Sequence, residues 1–267
     1  MKLGVCWGSP SIRIGGSSLV NSIILKTSRL YKNFGTLQVL TDVTIEVAEG
    51  TVHGIIGPNG AGKTTLLNIL TGFVKPTSGK IYFKENDITG YEPYQISKIG
   101  IARSFQITSI FPELSVLENV CIAAQSRTTF SYNFFTSSNN LRTLEKKGLE
   151  VLEVVGLEEK ALIPAKHLPY GEKRILDVAI ALATKPSVLL LDEPTAGLVG
   201  DEVMRIASLI RTLARKMTVI LVEHKIDVIL SVCDVITVLH FGKIIAHGTP
   251  KEIQTNQEVQ KVYLGEL

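Results

Sequence analysis

The sequence predicts an α/β fold: a largely parallel sheet flanked by helices, with an antiparallel β portion ahead of it and a helical segment inserted into it. Three observations carry this prediction. Residues 188–191 and 219–222 are uninterrupted apolar runs, the pattern of strands buried on both faces. Between them Val203, Ile206, Leu209, Ile210 and Leu213 recur at helical spacing within 201–215, supplying the crossover helix that neighbouring parallel strands require. Upstream, the apolar residues 52–56 run into Gly57, Gly60 and Gly62 and then into a helical stretch over 64–70, the first half of a βαβ unit.

Taken in order, residues 1–22 hold Gly4, Gly8, Gly15 and Gly16 among scattered serines, with no unbroken apolar stretch. They read as a leader or disordered extension outside the fold. From Ile23 the pattern tightens. Val43, Ile45 and Val47 alternate with Thr44, Glu46 and Ala48, the period of a half-buried strand, and Glu49-Gly50 turns the chain. The helix after the glycine loop is stopped by Gly72 and Pro76. Over 96–170 the texture becomes helical: Leu141, Leu144, Leu149, Leu152 and Val155 oppose Glu145, Lys146, Glu150 and Glu153. This divides the chain into core segments 23–95 and 171–267 and a helical subdomain 96–170. The aromatic stretch from Phe130 to Phe135 reads as a surface loop, with a docking surface as the alternative. Residues 235–239 form a further apolar run, and Thr249-Pro250-Lys251-Glu252 has the order of a helix start, with a capping Thr, Pro at the first position and Glu three after the cap.

The 267 residues are 45% apolar and 20% charged, an ordinary globular composition that excludes disordered and collagen-like classes. With 28 Lys and Arg against 25 Asp and Glu the net charge is +3, too weak a field to argue for nucleic acid or an acidic lipid surface. Cys6, Cys121 and Cys233 are far apart and odd in number, so neither a disulfide framework nor a zinc site is indicated, and a reducing compartment fits. No apolar run approaches the roughly 20 residues needed to cross a bilayer.

The chemistry concentrates at the glycine loop. Gly57-Pro58-Asn59-Gly60-Ala61-Gly62-Lys63-Thr64 fits G-x-x-x-x-G-K-[ST] in full, and at ordinary glycine frequencies chance supplies such a match in about one chain in a hundred of this length. Glycines let successive backbone N–H groups converge on phosphate oxygens, and the following helix start adds positive potential. Lys63 would reach the outer phosphates and Thr64 would ligate Mg²⁺. An acid at the end of a buried strand completes such a site: Asp192 follows the run 188–191 at the sheet edge where ligands of open α/β folds bind. Asp192 would hold Mg²⁺ directly or through water, and Glu193, on another side of the strand, would face an attacking water, which suggests hydrolysis. His224 follows another apolar run and could hydrogen-bond a terminal phosphate and that carboxylate, although a lone strand-end histidine is more often a surface or capping residue. Gln106 has the same standing.

At this point the set resembles the nucleotide-binding subunit of an ABC transporter, over about 24–267. The family's motifs match in order: Phe34 as the adenine-stacking aromatic, Gly57 to Thr65 as the phosphate loop, Gln106, the signature Leu168-Pro169-Tyr170-Gly171-Glu172, the acidic strand ending in Asp192 and Glu193, the D-loop Ala196-Gly-Leu-Val199, and His224. The resemblance implies an ABC-ATPase core that binds ATP and Mg²⁺. It also implies a head-to-tail dimer with a second ATPase subunit, each ATP lying between one phosphate loop and the partner's signature. Gln106 would sense Mg²⁺ and report to integral permease subunits, which a substrate-binding protein serves; the ATPase would sit peripherally on the cytoplasmic face of the membrane, without nucleic acid. The signature departs from L-S-G-G-Q: Pro169 replaces the serine and has no N–H, leaving Gly171 and the helix dipole to meet the phosphate. Val199 stands where the family usually carries Asp or Asn.

Within the family, the signature tyrosine, Arg103-Ser-Phe-Gln106, the long segment 122–148 and the ending Gly248-Thr-Pro-Lys-Glu-Ile with Val262-Tyr-Leu-Gly265 resemble the ATPases of branched-chain amino acid importers. A urea or amide importer ATPase of the same group, a lipid-export ATPase and a soluble ABC-type regulatory ATPase are the alternatives.

Overall fold

A computed structural model describes residues 22–104, 110–126 and 138–264. Gln106, the aromatic stretch 130–135, Cys6 and the leader through residue 21 lie outside the described residues. The chain runs through β1 (Ile23–Phe34), β2 (Leu37–Val43), β3 (Glu46–Ala48), β4 (Val52–Ile56), α1 (Lys63–Leu70), β5 (Ser78–Phe83), β6 (Asn86–Asp87), α2 (Pro93–Ile99), β7 (Ile101–Ser104), α3 (Val116–Gln125) and α4 (Ser138–Val155). It continues through α5 (Tyr170–Ala183), β8 (Val188–Asp192), α6 (Asp201–Ala214), β9 (Thr218–Val222), α7 (Ile226–Val232), β10 (Val235–His240), β11 (Lys243–Gly248), α8 (Pro250–Thr255) and α9 (Gln257–Leu264).

The central sheet has the order β11-β10-β4-β9-β8-β7, parallel except for the hairpin edge β11. Both its faces are covered, which is why its strands read as continuous apolar runs. Along β8 and β9, Leu189, Leu191, Val219 and Leu221 pack toward the helices α5 and α6. Val188, Leu190, Ile220 and Val222 pack toward α1 and the second sheet. That second sheet joins β1, β2, β3, β5 and β6 in antiparallel pairs. The alternating segment 43–47 is therefore two strands rather than one: β2 ends at Val43 and β3 begins at Glu46, with the Thr27 hydroxyl bonding the Val43 carbonyl and the Ile45 N–H across the break.

One boundary is corrected. The stretch expected to be helical from 96 onward holds a core strand directly after the end of α2, since β7 pairs in parallel register with β8 from Ile101↔Val188 to Ser104↔Leu191. Arg103 hides this strand from an apolar-run reading, and its charge is matched inside the fold by Asp192. On α4, Leu152 and Val155 are buried as the helical spacing predicts, whereas Leu149 is exposed. The start of α8 matches its sequence pattern: Thr249 caps the Glu252 N–H and the Glu252 carboxylate returns to the Thr249 N–H. Among the described residues no helix is long and apolar enough to cross a membrane.

A polar chain, buried at His53 and Thr237 and exposed at His247, ties the hairpin edge to the sheet centre. His53 on β4 shares a hydrogen bond of 2.8 Å with the Thr237 hydroxyl, which is 2.9 Å from Nδ1 of His247 on β11. Burial, and then the neighbouring His247, hold the His53 pKa down at about 3. A histidine neutral in the fold but titrating near 6.5 when unfolded leaves the unfolded state binding more protons between those values, so stability drops as pH falls through that window. The expected result is that His53→Gln, compared with the unaltered chain by urea unfolding at pH 7 and pH 5, loses about 2 kcal/mol less stability over that interval. Equal losses in the two proteins would show that His53 does not titrate this way.

Candidate nucleotide and hydrolysis site

The loop after β4 occupies the point in the strand order where β4 lies between β9 and β10, at the carboxyl ends of the parallel strands, the usual ligand crevice of open α/β sheets. Its glycines are required by geometry. A side chain on Gly57 would meet the Leu239 carbonyl at 2.1 Å, and one on Gly62 would meet Leu40 and the Val39 carbonyl at 2.7 and 3.1 Å. Gly60 and Gly62 also take positive φ, at 77° and 101°, a conformation that disfavours residues with a Cβ. Pro58 and Ala61 complete the turn, with the Ala61 N–H bonding the Pro58 carbonyl and the Ala61 carbonyl accepting from Gly242. Asn59 and Thr64 face solvent, and Thr65 is half-buried in the first turn of α1.

Lys63 is buried, and its ammonium donates to the carbonyls of Gly57 at 2.6 Å and Pro58 at 2.9 Å. The cation is thus folded back over its own loop, at the mouth of α1, where the helix start already favours an anion.

Asp192 ends β8 fully buried. Its Oδ2 accepts from Arg103 Nη2 at 2.6 Å, and Arg103 Nη1 donates to Asn68 on α1 at 2.7 Å. Its Oδ1 is buried without a hydrogen-bond partner. An orphaned carboxylate oxygen is costly unless something occupies it, and a hard divalent cation or its bound water is chemically suited to that place. The sequence names Arg103 only within the stretch Arg103-Ser-Phe-Gln106, with no role of its own, and does not point to Asn68. The local signal for a structural role of Arg103 is a cation inside a short apolar strand.

Glu193 lies just beyond the strand, at φ 49°, a left-handed conformation that costs a non-glycine residue on the order of 1 kcal/mol. Its N–H donates to the Val222 carbonyl at the end of β9, and its Oε1 hydrogen-bonds Nε2 of His224. Two residues chosen 31 positions apart thus meet at the ends of adjacent strands. The bend holds the Glu193 carboxylate partly exposed while Asp192 is sealed in, so the two neighbouring acids face different surroundings.

The signature segment lies at the start of α5. Leu168 and Gly171 are buried, Pro169 caps the helix and Tyr170 is exposed. The Glu172 carboxylate holds Lys160 at 2.5 and 2.6 Å, which keeps its charge engaged within the chain. Tyr170 packs on Gly197 and reaches the Ala196 carbonyl at 3.4 Å, tying the helix start to the turn after β8. Phe34 ends β1, half-exposed, with the Lys32 ammonium 4.7 Å from its ring centre. The same hairpin sends β2 past Gly62.

Comparison with known proteins decides the family. The model of the ABC transporter family matches residues 40–196. The chain belongs to the ABC transporter ATP-binding family. A second model, described as a branched-chain amino acid ATP-binding cassette transporter, matches residues 243–266. The high-affinity branched-chain amino acid transport ATP-binding protein LivG of Salmonella typhimurium is 37% identical over 250 residues, covering 91% of this chain and 98% of that protein. BraF of Pseudomonas aeruginosa, of the same description, is 39% identical over 251 residues with the same coverage. Among solved structures, the ADP conformation of MJ1267, an ATP-binding cassette of an ABC transporter, superposes with a TM-score of 0.82 at 32% identity, covering 91% of this chain and 99% of that one. A dimeric post-hydrolysis state of the cassette MJ0796 bound to ADP and Pi gives 0.73 at 27% identity, covering 85% and 99%. This ABC cassette is accordingly a nucleotide-binding ATPase with the fold its sequence predicts.

Proposed function

We propose that this chain is the ATP-hydrolysing subunit that energises an importer of branched-chain, hydrophobic amino acids. The observation that carries the cargo class is the match of residues 243–266 to the branched-chain cassette model, supported by likeness to LivG and BraF along nearly the whole chain.

In this reading the loop from Gly57 to Thr65 wraps the β- and γ-phosphates, and Lys63 exchanges its two backbone acceptors for phosphate oxygens. Phe34 stacks on the adenine. Thr64, Asp192 and Gln106 would hold Mg²⁺, in part through water; among the described residues no three His, Cys, Asp or Glu side chains are grouped to hold a metal by themselves. When bound, that cation would supply charge neutralisation to the phosphates. Glu193 accepts a proton from the attacking water, and His224 orients the Glu193 carboxylate and contacts the γ-phosphate. Leu168 to Glu172 meet the nucleotide of a second ATPase subunit, with Gly171 and the α5 dipole in place of a serine hydroxyl.

The cassette works from the cytoplasmic face of the membrane through permease subunits. A cleft of about 250 Å³ beside β7 supports a docking role: it is lined by Phe73, Ile96, Ala123 and Ile180, with Phe73 half-exposed. It also includes Arg103, three residues before Gln106.

The test is affinity capture of the full-length chain from detergent-solubilised membranes of its source, followed by uptake assays on proteoliposomes of whatever is captured. The expected result is ATP-dependent uptake of labelled leucine that excess isoleucine and valine suppress. Urea uptake would move the cargo to the alternative within the group, and capture without an integral membrane protein would favour a soluble ATPase.

A further inference from the structure

The residues on either side of His224 grip one turn. Glu223 is buried, and its Oε1 accepts from both the backbone N–H and the hydroxyl of Thr195, at 2.7 and 2.6 Å. Its Oε2 accepts from the His224 N–H at 3.1 Å. Lys225 reaches the same turn, donating from Nζ to the Leu198 carbonyl at 2.6 Å and the Thr195 carbonyl at 3.2 Å. The turn itself is closed by the Leu198 N–H on the Thr195 carbonyl and by the Ala196 N–H on the Glu193 carbonyl. It is therefore held at its first residue by Glu223 and at its last by Lys225, while His224 between them holds Glu193. It then delivers Val199 to the surface, 78% exposed.

We propose that Glu223 and Lys225 are positioning residues that lock the turn 195–198 to the end of β9, so that the geometry of the Glu193–His224 pair and the conformation of the turn are set together. The physical case rests on stakes at the two ends. A buried carboxylate that satisfies three donors leaves all three unpaired when it is removed. The Lys225 ammonium bridges the Leu198 carbonyl and the Thr195 carbonyl, which the Leu198 N–H also meets, so it ties the two ends of the turn with charge-assisted bonds. Glu193 sits in a strained left-handed conformation one residue before Pro194, and such a conformation persists only where its surroundings over-determine it. The clamp is that surrounding structure on the turn side. As a statement about catalysis this rests on the reading of Glu193 and His224 given above; as a statement about the turn it does not.

Lys225→Met keeps the aliphatic stem and removes the donor, and Lys225→Arg restores one. Two measurements on the full-length chain separate the claims. In hydrogen exchange of the nucleotide-free protein, Lys225→Met is expected to accelerate exchange of the amides of residues 195–199 at least tenfold, with the rest of the sheet unchanged and Lys225→Arg close to the unaltered chain. In steady-state ATP hydrolysis, Lys225→Met is expected to lower kcat about tenfold with KM for ATP unchanged, and to add nothing to the loss caused by His224→Ala. Unchanged exchange overturns the clamp whatever the activity. Faster exchange with unchanged kcat, or losses that multiply with His224→Ala, overturns its positioning role. A His224→Ala variant with full kcat overturns the functional reading of the site, and with it the catalytic half of the proposal, while the exchange result still decides the clamp. Glu223→Gln, which keeps one acceptor for Thr195, is expected to fall between Lys225→Arg and Lys225→Met in both measurements; no change in either would remove Glu223 from the clamp.

Discussion

Lys63→Ala is expected to lower affinity for ATP and ADP by roughly 100-fold or more while leaving a folded chain. The ammonium is buried at the mouth of α1 and held by the Gly57 and Pro58 carbonyls. In the proposed bound state those two contacts would be exchanged for charged phosphate oxygens, and each such charge-assisted bond contributes about 1.5–3 kcal/mol. Losing two of them corresponds to a factor above 100. The stability cost is smaller, on the order of 1 kcal/mol, because the Gly57 and Pro58 carbonyls that lose a donor are neutral and Pro58 is partly solvated. Lys63→Arg is not expected to recover binding, since a planar guanidinium is larger than an ammonium and the position is enclosed. Titration of a fluorescent nucleotide analogue measures the affinity, and thermal unfolding of the apo protein checks the fold.

Glu193→Gln is expected to have the larger effect on turnover and the smaller effect on binding. The amide keeps the length of the side chain and an oxygen for His224 to meet, so the strained bend and the strand-end pairing survive. It cannot take a proton from water. General-base removal costs about 10²–10⁴ in rate, so kcat should fall at least 100-fold while the dissociation constant for ATP changes less than threefold. Asp192→Asn should differ: it removes the charge that Arg103 faces inside the fold, leaving a buried guanidinium opposite a neutral amide, so both stability and nucleotide binding should suffer. The contrast between adjacent acids follows from burial alone, one sealed against Arg103 and the other open toward His224.

What could be read ahead of the structure was what is local or periodic. The phosphate loop is a contiguous string whose backbone demands act on the same residues that carry the chemistry, so Gly57, Gly62 and Lys63 were all identifiable. The runs at 188–191 and 219–222 declared a sheet covered on both faces. What escaped was pairing across strands. Arg103 looks like a defect in an apolar strand until Asp192 is found beside it, and for that reason β7 was assigned to the helical segment. Glu223 and Lys225 look like the solvated ends of a strand, because nothing near them in sequence announces that Thr195 and Leu198 lie within reach. The Glu193–His224 meeting depends on β8 and β9 being neighbours, a fact of strand order that no spacing within either strand contains.

The central claim is that the ends of β8 and β9 form a hydrolytic centre for ATP held by the loop after β4. The measurement that tests it most directly is a single turnover with ATP labelled at the γ-phosphate, following bound nucleotide and released phosphate in the same sample of the unaltered chain and of Glu193→Gln. Both proteins are expected to bind the label to the same extent, the unaltered chain releasing it as phosphate and Glu193→Gln retaining it as intact ATP. Release of phosphate by Glu193→Gln at the rate of the unaltered chain would contradict the claim.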